Sequence, residues 1–141
     1  LIMATKKLLR LSSNALHQRR CQPMIELTLP FPPSVNTYWR NYNGRMLISE
    51  KGRKYRKMVV DQVMIYQGRK QMQGKVKVTI EAYRPDKRRR DLDNLLKAPL
   101  DALTHAGVYQ DDELIVDLRI YWAEDNGGFI KVKVEELNGS H

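Results

Sequence analysis

From residue 24 onward, apolar and polar positions follow periods that change along the chain. Ile25, Leu27 and Leu29 alternate with Met24, Glu26 and Thr28, the period-2 pattern of a half-buried strand. Pro30, Pro32 and Pro33 end it, because proline donates nothing to a ladder. Two short runs, Thr37 to Tyr42 and Arg45 to Ile48, flank Asn43-Gly44, the strongest short-range signal for a hairpin. The period then lengthens. Tyr55, Val59, Val63 and Tyr66 share one face of a helix that starts after a Ser49 cap and runs to about Gln67, with Gly68 as its C-terminal cap.

Val76, Val78, Ile80 and Ala82 return to period 2. Leu95, Leu96, Leu100, Leu103 and Ala106 mark an amphipathic helix that begins at Asp93 or Asn94 and stops at Gly107. Pro99 lies inside it, so a kink or a disturbed turn is expected there. Leu114, Val116, Leu118, Ile120 and Trp122 form another strand. Asp125-Asn126-Gly127-Gly128 turns the chain, and Ile130, Val132 and Val134 return as the second arm of an expected hairpin. The order of elements predicts an α+β domain, a mixed β-sheet with two main helices packed on one face, over residues 24–141.

The stretch 1–23 stands apart. It carries five Lys/Arg and no acid, begins Leu1-Ile2-Met3, and contains no apolar run of secretory-signal length. It reads as a non-native or disordered basic extension ahead of a start at Met24.

Charge changes the picture more than composition does. The 141 residues carry a net charge of +9, which suggests an anionic partner. The charge is segregated: residues 40–97 are net +11 and residues 98–141 are net −6. A single cysteine, Cys21, excludes a disulfide scaffold and a multi-cysteine zinc site. His17, His105 and His141 are scattered, which leaves carboxylates as the candidate metal ligands. No run reaches the ~18 apolar residues of a membrane span, so no membrane role is expected.

The candidate chemistry lies in Asp86-Lys87-Arg88-Arg89-Arg90-Asp91-Leu92-Asp93-Asn94-Leu95-Leu96-Lys97. In an extended segment Asp91 and Asp93 point to one side and Leu92 to the other. Lys97 follows Asp93 by about one helical turn. Paired carboxylates suit Mg²⁺, a hard cation that keeps several waters. The run Arg88 to Arg90 would hold a polyanionic backbone that the carboxylates repel, and Lys97 would neutralise charge in a phosphoryl transition state. Plainer readings stand beside these: Asp93 or Asn94 as a helix cap, Lys97 as an ion-pair partner of Asp93 and Asp101, and the arginines as a solvated loop. Further on, Asp111-Asp112-Glu113 precedes a strand, and alternation lets only one of the two aspartates enter a shared site. Asp117 is a weaker candidate, and its pairing with Arg119 competes. Tyr38, Trp39 and Pro32-Pro33 are candidate contacts to splayed bases, or packing residues.

The stretches Leu27 to Asn36, Arg88 to Lys97, Leu100 to Leu103 and Gly107 to Asp112 together resemble the RusA-type endodeoxyribonucleases, the Holliday junction resolvases common in prophages. The likeness spans Met24 to Glu136. It implies a RusA-like fold and a homodimer that binds four-way junction DNA and makes paired Mg²⁺-dependent nicks in recombination and repair. It implies a cytoplasmic, bacterial or phage-encoded enzyme. By that resemblance Asp91, Asp93 and Asp112 are the catalytic, metal-holding carboxylates, Lys97 is the essential lysine, and Arg88, Arg89 and Arg90, with Lys87 beside them, contact DNA. The competing classes are a non-catalytic nucleic-acid-binding module, a degenerate interaction protein and a less selective structure-specific nuclease.

Overall fold

A computed structural model describes residues 24–66 and 71–137. The segment 1–23, Cys21, the Gly68 cap and His141 lie outside the described residues. The chain runs β1 (Met24–Pro30), a single turn α1 (Val35–Tyr38), β2 (Trp39–Tyr42), β3 (Arg45–Ile48), α2 (Glu50–Tyr66) and β4 (Val76–Arg84). A 3₁₀ turn (Leu92–Leu95) leads into α3 (Lys97–Ala106), and a second one (Asp112–Leu114) leads into β5 (Ile115–Asn126), followed by β6 (Phe129–Glu136).

Four strands form one mixed sheet in the order β1-β6-β4-β5. β4 and β5 are parallel and joined through α3, while β6 is antiparallel to both β1 and β4. The alternation of the strands becomes sidedness. Ile25, Leu27 and Leu29, Val76 to Ala82 on alternate positions, and Ile130, Val132 and Val134 are all buried against the helices. Glu26, Thr28 and Lys131 face away from this core and stay exposed. The helices supply Tyr55, Val59 and Val63 from α2, and Ala98, Ala102 and Leu103 from α3. The α+β expectation, with helices on one face of a mixed sheet, therefore holds.

Two local expectations differ. The turn at Gly127-Gly128 exists, but β5 and β6 do not form a hairpin: β4 lies between them. The turn instead crosses the end of β4, where Gly127 N–H and Gly128 N–H donate to the Arg84 and Tyr83 carbonyls at 3.0 and 3.1 Å. A strand buried on one side and flanked by two partners satisfies more backbone groups than a two-stranded arm would. Pro99 is also not mid-helix, because the turn before it (Leu92–Leu95) is 3₁₀ and α3 begins only at Lys97. It sits in the first turn of α3, where an N–H has no helical partner to lose.

Other expectations match. Asn43 (φ 52°) and Gly44 (φ 75°) form the tight turn between β2 and β3, which pair from Trp39↔Ile48 to Tyr42↔Arg45. Ser49 caps α2 by accepting from Gly52 N–H at 3.0 Å while its hydroxyl donates to the Thr37 carbonyl at 2.6 Å. A Cβ on Gly52 would lie 2.7 Å from the Tyr38 carbonyl oxygen, so only glycine lets α2 approach α1 this closely. No described helix is long and apolar enough to cross a membrane.

Candidate active site

The site is built where the loop after β4 enters α3. Asp91 is extended (φ −90°, ψ 136°) and its carbonyl accepts from Asn94 N–H at 3.2 Å, which starts the 3₁₀ turn. Its carboxylate makes no capping bond. Leu92 and Leu95 turn inward onto the core and hold the turn down, leaving Asp91 and Asp93 exposed. The helical cap is Leu96, not Asp93 or Asn94. Among the described residues, neither aspartate carboxylate has a hydrogen bond or an ion pair. Asp91 on the extended flank, and Asp93 inside the 3₁₀ turn rather than on an extended run, are thus held on the surface by apolar anchors and paired with nothing among the described residues.

Lys97 opens α3 one turn later. It forms no ion pair with Asp93 or Asp101 among the described residues. Its ammonium instead stands over the Trp39 ring, 5.5 Å from the centroid. Asp101, four residues on, is taken by other partners: it accepts from Arg56 Nη2 at 2.8 Å and from the Tyr38 hydroxyl. Burial raises the Asp101 carboxyl, but these hydrogen bonds and the charges of Arg56 and Lys97 outweigh burial and hold it below its usual range. Burial first, and then the bond to Asp101, push the Tyr38 hydroxyl well up. Tyr38 is fully buried, so it contacts no DNA base. Tyr38, Arg56 and Asp101 tie α1, α2 and α3 into one block beneath Lys97. The sequence signal for this was weak, since Asp101 reads most simply as the i+4 partner of Lys97.

Asp112 comes back to the same neighbourhood. Gly107 (φ 83°) ends α3, and Met72 N–H and Gln110 N–H bridge the returning chain at 2.9 and 3.2 Å. Tyr109 is fully buried and donates to the Leu100 carbonyl at 3.1 Å. The two adjacent acids then divide their roles. Asp111 accepts from Glu113 N–H at 3.2 Å, and that bond holds its carboxyl low. Asp112 is pushed up by Asp111 beside it, by partial burial and by Asp101, while Lys97 pulls it down. Asp112 is therefore the one within electrostatic reach of Lys97.

The basic loop is not uniform. Asp86 organises it, with Arg90 gripping the Asp86 carboxylate at 2.5 and 3.1 Å and Arg88 reaching it at 3.3 Å. The hydrogen bonds from Arg90 and from Arg88 N–H hold the Asp86 carboxyl far below its ordinary value. Arg90 also stands 5.4 Å from the Phe31 ring centroid. Arg90 thus shapes the loop, whereas Lys87 and Arg89 are exposed and make no ion pair among the described residues.

Among the described residues, no three His, Cys, Asp or Glu side chains form a ready-made metal cage. The donors on offer at Asp91, Asp93 and Asp112 are exposed carboxylate oxygens, with no thiolate or imidazole nearby in sequence. That set fits Mg²⁺, which binds through one or two carboxylates and retains water on its remaining positions.

The sequence model of the family described as Endodeoxyribonuclease RusA matches residues 30–135, the span that holds all of these groups. The chain belongs to the RusA family. A relative from Enterobacteria phage HK97, called crossover junction endodeoxyribonuclease rusA, is 44% identical over 115 residues, which is 79% of this chain and 94% of that protein. A Shigella sonnei protein called crossover junction endodeoxyribonuclease RusA is 43% identical over 115 residues, 79% of this chain and 93% of its own. An Escherichia coli protein of that name is 42% identical over the same coverage. The mixed sheet, the exposed carboxylate turn and Lys97 are thus features of a RusA-family domain at nearly full length.

Proposed function

We propose that this chain is a Mg²⁺-dependent endodeoxyribonuclease that resolves four-way DNA junctions by paired nicks during recombination and repair, acting as a homodimer in the cytoplasm of a bacterial cell. The observation that carries this reading is the pair of exposed carboxylates of Asp91 and Asp93, with the Lys97 ammonium nearby in sequence, none of the three in an ion pair among the described residues. Its family membership and the names of its relatives point the same way.

Asp91, Asp93 and Asp112 would hold the metal. Bound there, Mg²⁺ would polarise the scissile phosphate and make an attacking water more acidic. Lys87, Arg88 and Arg89 attract the DNA backbone by counterion release, which opposes the repulsion from the carboxylates. Lys97 places its positive charge where negative charge builds on the phosphoryl oxygens during in-line attack. Water adds to phosphorus, the bridging P–O bond breaks, and the leaving oxygen takes up a proton. No side-chain nucleophile is needed.

Symmetric cuts require two equivalent sites, which a two-fold dimer supplies. β5 is an edge strand of 12 residues, and Val116 and Leu118 on it are 53% and 39% exposed. Antiparallel pairing of two β5 edges about Leu118 would set Asp117 of one copy opposite Arg119 of the other, a charge match that specifies register.

The test is nicking of a synthetic four-way junction and of a linear duplex of the same sequence, with and without Mg²⁺. Junction nicking that needs Mg²⁺ and spares the duplex is expected. Binding without cleavage, or equal cutting of both substrates, would overturn the proposal.

A further inference from the structure

A cavity of about 980 Å³ opens beside the carboxylate turn, with Asp91 and Asn94 at one end. Phe31, Pro32 and Pro33 form an apolar wall, and Met58 of α2 stands in its lining. Its lining is cationic, with Lys51 and Lys54 from α2 and Arg88, Arg89 and Arg90 from the loop after β4. Among the described residues, Asp91 is the one acid that lines it.

We infer that this cavity holds a single unstacked nucleotide of the strand being cut, and that it is what makes the enzyme select branched DNA. The inference rests on the nuclease reading above. An apolar wall with lining cations matches a nucleobase attached to a phosphate. Phe31 is fixed as a platform: its ring stacks at 12° on Trp122 with centroids 6.4 Å apart, and Arg90 stands over it. Apolar contact of a base with the ring edge of Phe31 and with the prolines reads no hydrogen-bonding edge, so it tolerates any sequence. The lining lysines are available to a phosphate. Lys51 has no ion pair among the described residues, and the one partner of Lys54 is Glu50 at 3.5 Å, with both side chains more than 70% exposed. Water competes with that contact, so a phosphate displaces it readily.

The selectivity follows from what each substrate must give up. A nucleotide within an intact duplex enters only by being flipped from its stack, whereas a nucleotide at a branch already lacks a stacking neighbour. The cavity shares Asp91 with the carboxylate turn, so the captured nucleotide lies next to the phosphate to be cut. Duplex bound through its backbone alone would touch the arginines and lysines without filling the cavity.

The test crosses a protein change with a DNA change. Met58→Trp fills the cavity from an exposed helix position, and a Lys51→Ala, Lys54→Ala double variant removes two of its cations at exposed sites that cannot unfold the domain. Each is measured with a four-way junction, with the same junction carrying one abasic nucleotide at each branch-flanking position in turn, and with linear duplex. Dissociation constants are read without divalent metal, and nicking with Mg²⁺. Met58→Trp should weaken junction binding at least about fivefold while duplex binding changes less than twofold. One abasic position should weaken wild type similarly and leave Met58→Trp unaffected, because both changes remove the same contact. The double variant should lose junction selectivity in the same direction. If wild type nicks the junction yet these effects simply add, or fall equally on duplex and junction, the cavity inference is overturned and the nuclease reading stands. If wild type does not nick the junction with Mg²⁺, both fall.

Discussion

Lys97 stands over the face of Trp39, its Nζ 5.5 Å from the ring centroid, and this is what holds the ammonium on the side of the carboxylate turn. Trp39 is itself braced edge-on by buried Tyr38, with centroids 5.2 Å apart at 88°. Tyr38 in turn is anchored by Asp101. A chain of contacts thus runs from the packed helices to a cation at the surface.

That chain predicts a graded loss of activity. Lys97→Ala should lower single-turnover nicking by about 100-fold or more at saturating DNA and Mg²⁺. Trp39→Ala should lower it only about two- to fivefold, the worth of an exposed cation–π contact, and Trp39→Phe should recover part of that. Equal losses for Lys97→Ala and Trp39→Ala, with no recovery by phenylalanine, would mean that Trp39 acts through folding instead.

Asp91→Asn, Asp93→Asn and Asp112→Asn should each abolish cleavage while junction binding is kept or tightened. Each would remove a ligand of the proposed metal and also a negative charge on the face proposed to meet the phosphates. Gel-shift and nicking assays on the same preparations separate the two effects. A variant that nicks at the wild-type rate removes its residue from the mechanism.

Within the basic loop the arginines should behave differently. Arg89→Ala should lower the slope of log K against log salt by about 0.9 on duplex DNA, with an unchanged melting temperature. Arg90→Ala should instead free Asp86 and loosen the loop, seen as faster amide exchange over residues 85–91. If Arg90→Ala alters only the salt slope, its grip on Asp86 has no structural role.

Acid should weaken the block beneath Lys97 in a defined direction. The Asp101 carboxyl is held below its unfolded value, so its contribution is complete above about pH 4 and is lost as pH falls through its folded value. Asp101→Asn should cost about 2 kcal/mol at neutral pH, because Arg56 loses its charged partner. The difference in stability between wild type and Asp101→Asn, followed by denaturant unfolding, should shrink below pH 4. A gap that does not begin to shrink as pH falls below 4 would assign the loss to packing.

If the proposed β5-to-β5 dimer forms, wild type should be dimeric in light scattering and Leu118→Lys monomeric, since two like charges would meet at the centre of the pairing. Retention of the dimer would place the two-fold contact elsewhere.

The strands, the Asn43-Gly44 turn and the start of α2 after Ser49 were readable from sequence because period and turn chemistry are local properties. The cluster from Asp86 to Lys97 stood out as a candidate site too, since a basic run, spaced acids and a lysine fall together in twelve residues. Which acids stay unengaged was not. Asp91 and Asp93 could equally have been caps, and Lys97 could equally have paired with Asp101. Those outcomes depend on Leu92 and Leu95 anchoring the turn, and on Arg56 and Tyr38 reaching Asp101 from distant parts of the chain. The last two strands show the same limit. Gly127-Gly128 signals a reversal, but whether β6 pairs with β5 or passes over β4 depends on which edge buries more apolar surface. Local sequence determined the elements and the candidate chemistry. The tertiary structure decided the strand order, and which charged groups neutralise one another and which remain free to meet DNA, because those choices are competitions between groups far apart along the chain.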